Sequence, residues 1–184
     1  GKFNTTGIAN TYIGQSSGES TTTGNYNVSM GEGALFSSTT ASANVAVGYQ
    51  AGYDNTTGAG ITGVGYLALA NNTTANNNTG VGNYALYLNT TGTENSAIGT
   101  QALNSNTSGS YNTAHGSQSL FSNTTSSYST AVGYQAGYAN TGSTVTFVGF
   151  QAGYNNTGSD NIAYGADALF TNTSGGANTA LGRS

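Results

Sequence analysis

The chain has 184 residues, a net charge of −4, and only two Lys or Arg against six Asp or Glu. Its cations stand near the two ends, at Lys2 and Arg183. No basic cluster therefore exists to hold a phosphate backbone or an anionic membrane surface, and nucleic acid is excluded as a direct ligand. The lack of Cys rules out a disulfide framework and a thiolate metal site.

No apolar run is long enough for a membrane span, so no direct membrane insertion is expected. Disordered chains are poor in aromatic and β-branched residues. Here thirteen Tyr and six Phe accompany a recurrent column of Val and Ile, which argues for a packed structure.

A glycine that follows a short run of small and apolar residues recurs at Gly14, Gly31, Gly48, Gly65, Gly82, Gly99, Gly116, Gly133, Gly149, Gly165 and Gly182. The spacing is seventeen residues, with two intervals of sixteen between Gly133 and Gly165. Residues 1–184 thus form one array of about eleven repeats, open at both ends. Such an array suits a fragment of a longer fibre, or one subunit of it, because bare solenoid ends otherwise need caps.

Each repeat opens on a strand signal. One residue before the glycine stand Val47, Val64, Val81, Ile98, His115 and Val132, and three before it Val45, Thr62, Thr79, Ser96, Thr113 and Thr130. A small residue such as Ala46, Ala97 or Ala131 separates them. Alternation with period two is the mark of a strand, and Val, Ile and Thr suit a pleated surface. The reading expects Val45 and Val47 to face inward, Gly48 to turn the chain, and Ala51 to pack beneath the next coil.

The second element carries Ala three residues after the glycine, then Leu or Gly, then an aromatic, as in Ala51-Gly52-Tyr53 and Ala85-Leu86-Tyr87. Where this position is Gly, an aromatic often directly follows the anchor (Tyr49, Tyr134, Phe150), so the glycine is expected to make room for that ring. The last element is a polar turn of the Asn-Thr-Thr-Gly type, with Thr eight residues past each anchor but the last. The two short repeats lose a residue just after that Thr, where a surface turn tolerates it.

Seventeen residues cannot bury a core alone but can form one coil of a solenoid. The expected fold is all-β: a single-chain parallel β-solenoid of 16–17-residue coils, roughly 50 Å long at the strand spacing, with almost no helix.

Asn44-Val45-Ala46-Val47-Gly48 and Asn95-Ser96-Ala97-Ile98-Gly99 resemble the Ser-Val-Ala-Ile-Gly signature of head repeats in trimeric autotransporter adhesins. The small residues Ala51 and Ala102 also fit, and the resemblance covers the whole chain. It implies a left-handed parallel β-roll, a homotrimer of side-by-side chains, and display on a bacterial surface against host matrix or other cells. Similar repeats are expected in some phage tail-fibre proteins. This chain departs in its longer coils and Tyr/Phe column, and it has no heptads to support a coiled coil.

Chemistry-bearing motifs are sparse. Gly58-Ala59-Gly60-Ile61-Thr62-Gly63 matches a dinucleotide pattern, but its glycines fall on the repeat grid and no helix follows. Glu94 and Asp160 are the one pair of acids in a common column, and at four coils apart they are too distant for paired-carboxylate hydrolysis. His115 is the lone histidine and sits in the Val/Ile column; without partners it makes no metal site. No enzyme activity, cofactor or metal is expected.

Two outward features remain. Tyr49, Tyr53, Tyr87, Tyr134, Tyr138 and Tyr154 form a candidate contact column for a cell-surface glycan or protein, or for neighbouring rods. Asn4, Asn55, Asn72, Asn89, Asn106, Asn123 and Asn172 each open an Asn-x-Thr/Ser sequon. They would stack inward as an amide ladder or carry glycans outward, and the ladder or turn role is favoured because Asn suits tight turns.

The expected function is a non-enzymatic extracellular fibre segment, a stiff adhesive or structural spacer that stacks head to tail or trimerises. The alternative is a glycan- or ice-binding solenoid. Ice binding asks for two outward Thr in a Thr-x-Thr strand, whereas the paired Thr here fall in turns.

Overall fold

The computed structural model describes residues 1–183. The chain winds into about ten coils of a parallel β-solenoid, and among the described residues there is no helix. One three-residue strand per coil builds the main sheet: β1 (Thr11–Ile13), β2 (Val28–Met30), β3 (Val45–Val47), β4 (Thr62–Val64), β5 (Thr79–Val81), β6 (Ser96–Ile98), β7 (Thr113–His115), β8 (Thr130–Val132), β9 (Thr146–Val148), β11 (Ile162–Tyr164) and β13 (Thr179–Leu181). These eleven strands pair parallel in chain order with no bulge, so residue i of one coil lies beside its equivalent in the next. Two further strands, β10 (Asn155–Asn156) and β12 (Thr171–Asn172), pair with each other in the region of the shortened coils.

The anchor glycine turns the chain out of each strand with φ near +135°, as at Gly48 (134°), Gly82 (137°) and Gly116 (135°). Conformation is half the reason for glycine here; contact is the other. A methyl group at Gly82 would stand 2.5 Å from the carbonyl oxygen of Gly99 in the next coil, and one at Gly99 would stand 2.6 Å from Gly116. The coils touch backbone to backbone along this column.

The position four residues past the anchor is left-handed in every coil, whether Gly18, Gly52, Gly137 and Gly153 or Leu35, Leu69, Leu86, Leu103, Leu120 and Leu169, with φ between 48° and 62°. That conformation costs an ordinary residue about 1–2 kcal/mol. Leu35, Leu69, Leu86, Leu103 and Leu120 are fully buried, and burying a leucine contributes about 1.5–3 kcal/mol. Burial therefore offsets the strain, which explains why the position holds either the residue without strain or one with a large apolar reward. Neighbouring backbone bonds hold the angle, for example from Leu69 N to Ala85 O at 3.0 Å and Leu86 N to Ala102 O at 3.0 Å.

Strand polarity is the reverse of the expectation. Ala46, Ala97, Ala114, Ala131 and Ala163, the middle residues of their strands, are fully buried, while Val45 and Val47 are half-buried on the outer face. The same holds for Ile98 at 42% exposure and Val132 at 39%. The physical reason is width: the coil interior also holds the Leu and Asn columns, and it leaves room for a methyl or a hydrogen at the strand centre. His115 accordingly lies on the outer face, half-buried, rather than in the core.

Nor do the outward rings fill the space left by glycine at the Leu/Gly position. The nearest groups to a methyl at Gly52 would be Leu35 at 3.0 Å and Ile61 at 3.4 Å, and at Gly137 they would be Leu120 at 2.9 Å and Phe147 at 3.0 Å. Phe147, the one large residue at a strand centre that is fully buried, occupies the room that two glycine coils vacate.

Gly82→Ala is expected to lower stability by about 3 kcal/mol or more, from the backbone clash together with the positive φ. Gly63→Ala, where a methyl meets Ala68 O at 3.2 Å and other coils already carry Ala, should cost under about 1 kcal/mol. Denaturant unfolding of the two variants checks the contrast, and equal losses would refute the close-approach account.

Candidate functional site

Asn side chains fill the polar half of the interior in two ladders. In the first, Asn55, Asn72, Asn89, Asn106, Asn123, Asn140 and Asn156 are buried at or near zero exposure. Asn106 Nδ2 donates to Asn89 Oδ1 at 2.8 Å and to Gly109 O at 2.9 Å, and Asn89 and Asn72 repeat the pattern one and two coils back. Each amide thus closes its own turn and also bonds to the coil beneath. Asn4 is exposed and Asn172 half-buried at the two ends of the column. A glycan on the buried amide nitrogens would have to replace both bonds and open the coil; of this column Asn4 is the exposed sequon, and its amide bonds Gly7 O at 2.9 Å.

Thr21 and Ser38 take the Asn positions between Asn4 and Asn55, with buried hydroxyls that have no partner, and from Asn55 to Asn172 the ladder breaks once. Asn123 Oδ1 is buried without a partner, because Asn140 Nδ2 bonds only Gly142 O at 2.7 Å. The break falls where the first shortened coil tightens the turn from three residues to two, and the ladder resumes from Asn156 to Asn140 at 2.8 Å.

The second ladder, which the sequence reading did not separate out, runs through Asn10, Asn27, Asn44, Asn78, Asn95, Asn112, Asn161 and Asn178. Here Oδ1 accepts the backbone N–H of the next coil, as from Asn112 N to Asn95 Oδ1 at 3.0 Å, and Nδ2 donates to a turn carbonyl, as from Asn95 to Gly109 O at 2.8 Å. Its signal was present in the Asn that opens Asn44-Val45 and Asn95-Ser96. The turn threonines form a third ladder, with Thr56 Oγ1 donating to Thr73 O at 3.0 Å and Thr90 Oγ1 to Thr107 O at 3.0 Å. Their hydroxyls are engaged with protein.

The six tyrosines read as one contact column divide between two. Tyr53, Tyr87, Tyr138 and Tyr154 lie five residues past their anchors, while Tyr49 and Tyr134 directly follow theirs. In the first column Phe121, Tyr138, Tyr154 and Phe170 stack in series at 5.0–5.1 Å with planes within 9° of parallel, and Phe36 stacks on Tyr53 at 5.0 Å. In the second, Tyr49 stacks on Tyr66 at 5.3 Å and Tyr134 on Phe150 at 5.7 Å. Tyr66 meets Tyr84 edge-on and Tyr84 meets Tyr87, which bridges the two columns. Desolvation, with a smaller contribution from the Tyr66 hydroxyl, holds the Tyr84 phenol above the usual tyrosine range.

A third column, missed in the sequence, contains Tyr26, Tyr111 and Tyr128, the last two stacked at 5.2 Å. Stacking consumes the ring faces that a sugar would lie on. What most of these rings present outward is edges and hydroxyls.

The remaining outward feature is the main sheet itself. Its two outer columns are Thr11, Val28, Val45, Thr62, Thr79, Ser96, Thr113, Thr130, Thr146, Ile162 and Thr179, and Ile13, Met30, Val47, Val64, Val81, Ile98, His115, Val132, Val148, Tyr164 and Leu181. No acid and no Lys or Arg occurs in either. This uncharged strip measures about 50 Å by 10 Å, or roughly 500 Å². A concavity of about 410 Å³ at the first coil is lined by Gly1, Lys2, Gly14, Ser16, Ser17 and Glu19 and gathers one carboxylate with no second acid or histidine. Among the described residues no group of three His, Cys, Asp or Glu could hold a metal ion.

Asn106→Ala removes an amide that makes three ladder bonds, counting the one that it accepts from Asn123. It also strands Asn89 Oδ1 and takes the Asn106 acceptor from Asn123 Nδ2, while Gly109 O keeps the bond from Asn95 Nδ2. Stranded buried groups cost about 1–3 kcal/mol each, so a loss of roughly 3 kcal/mol is expected in chemical denaturation. Exposed Asn83→Ala should change stability by less than about 0.5 kcal/mol.

No protein-family model, curated protein or solved structure matches this chain.

Proposed function

We propose that the chain is a non-enzymatic structural segment of an extracellular fibre, and that copies pack side by side through the eleven-stranded face. The observation that carries this reading is the open apolar column: Met30 is 43% exposed, Ile98 42%, Val132 39% and Tyr164 44%, in a line interrupted by His115 and with no Asp, Glu, Lys or Arg in either outer column. An uncharged strip of this size is characteristic of an interaction surface. Association would move its Val and Ile side chains out of water at about 25 cal/mol per Å².

The likeness of the Asn44–Gly48 and Asn95–Gly99 stretches to trimeric adhesin heads makes a parallel homotrimer the favoured form. In that arrangement the aromatic columns, on other faces of the coil, stay outward to meet a cell-surface partner through ring edges and phenol hydroxyls. The bacterial or phage surface is the setting that fits such a fibre.

A second reading has its own support. Thr62, Thr79, Thr113, Thr130 and Thr146 point outward from a flat strand array rather than from turns, beside a column of Val methyls. That arrangement of hydroxyls and methyls at a fixed repeat suits ordering of water, and so an ice surface.

Sedimentation of the wild-type chain is expected to give an oligomer, and Val81→Glu with Val132→Glu should return it to monomer with an unchanged circular dichroism spectrum. A wild-type chain that stays monomeric at about 0.1 mM would remove the side-by-side packing. Thermal hysteresis lost on Thr79→Glu would favour the ice surface instead.

A further inference from the structure

His115 interrupts the apolar column of the sheet face between Ile98 on β6 and Val132 on β8, the residues paired with it in register. It is half-buried, and its Nε2 lies 3.4 Å from the Ser96 hydroxyl of the neighbouring strand. Nδ1 has no hydrogen-bond partner among the described residues. Apart from Tyr164, three strands further along the same column, it is the one titratable side chain on the strip. Glu94, the acid closest in sequence to Ser96, accepts a hydrogen bond from Asn77 Nδ2 at 2.7 Å and belongs to a different column.

An imidazole placed so is poorly suited to an apolar contact and well suited to ligation. When Nε2–H is donated to the Ser96 oxygen, Nδ1 keeps its lone pair, and a hydrogen bond at the other ring nitrogen is the usual second support of a ligating histidine. One chain offers one such ligand. In a parallel assembly about an axis along the rod, however, equivalent residues of each copy meet at the same height. The Ile98 and Val132 layers above and below would keep water from the site.

We propose that His115 side chains of adjacent copies form a shared site for a borderline divalent metal ion, Zn²⁺, Ni²⁺ or Cu²⁺, ligated through Nδ1. Neutral imidazole donors with no carboxylate nearby select these ions over Mg²⁺ or Ca²⁺. Three copies supply the three-histidine set of an open tetrahedral site. No proton is released on binding, because the ligating nitrogen is already bare in this tautomer. The inference rests on the side-by-side packing proposed above.

The test uses the full chain with Zn²⁺ alone against EDTA, following oligomer mass by sedimentation, bound zinc by titration calorimetry, and melting temperature. Expected are one ion per oligomer, a higher melting temperature with Zn²⁺, and loss of both in His115→Val, whose oligomer mass in EDTA is retained because Val suits the column. Ser96→Ala should still bind, at least several-fold more weakly. An oligomer in EDTA that neither binds Zn²⁺ nor shifts its melting temperature overturns the metal site and leaves the packing intact. So does binding at one ion per chain, or binding that survives in His115→Val. A chain monomeric with and without Zn²⁺ overturns the packing and the site together.

Discussion

The rod depends on how closely its coils approach at the anchor glycines. Parallel strands lie about 4.8 Å apart, and at this column no side chain fits between one coil's backbone and the next: a methyl at Gly82 would press on the Gly99 carbonyl. Once that contact repeats, every other position is carried into register with its equivalent, Thr over Thr, Asn over Asn and ring over ring. The two shortened coils respect the same constraint. They lose a residue at the turn before Gly142 and Gly158 rather than at the glycine column, and the cost is a single interrupted amide at Asn123.

Inside, the coil is thin. Its apolar half is built from Ala and Leu, and its polar half from amides that satisfy backbone groups the turns would otherwise leave bare. Buried polar groups are stable only when bonded, and the ladders meet that demand with one residue type repeated. Bonds run chiefly between adjacent coils, so stability is close to a sum of nearest-neighbour terms. A defect such as Asn106→Ala is then felt by the coils that touch it. Volume is balanced across coils as well: Ile61 and Leu35 close the space at Gly52, and Phe147 that at Gly137 and Gly153.

Outside, the rod offers surfaces of different character. The aromatic columns stack on themselves and present edges, which removes most ring faces as platforms for sugars. The sheet face is uncharged along its whole length and leaves Val and Ile half in water, an arrangement that favours burial against another surface. His115 is the irregularity in that face, and its contact with Ser96 engages one ring nitrogen and leaves the other without a hydrogen-bond partner among the described residues.

The repeat period, the parallel solenoid, the turning glycines and the positions of the shortened turns were legible in the residues, because each is fixed by spacing and by backbone chemistry local to the coil. The Leu-or-Gly alternation was visible too, but its cause was not: the left-handed φ shared by Leu86 and Gly137 appears only once the chain is folded. Which side of the strand faces in was decided by tertiary structure. Period two gives Val45-Ala46-Val47 two faces, and hydropathy alone assigns the valines to the core. The interior, already narrowed by Leu and Asn from the other sides of the coil, admits only Ala46. Likewise the Asn column could have pointed either way from its sequons; the carbonyls of the turn that lack a backbone donor, such as Ala75 O beside Asn72, draw the amides inward. Spacing determined the coil, and the width of the space that the coil encloses decided which side chains it holds.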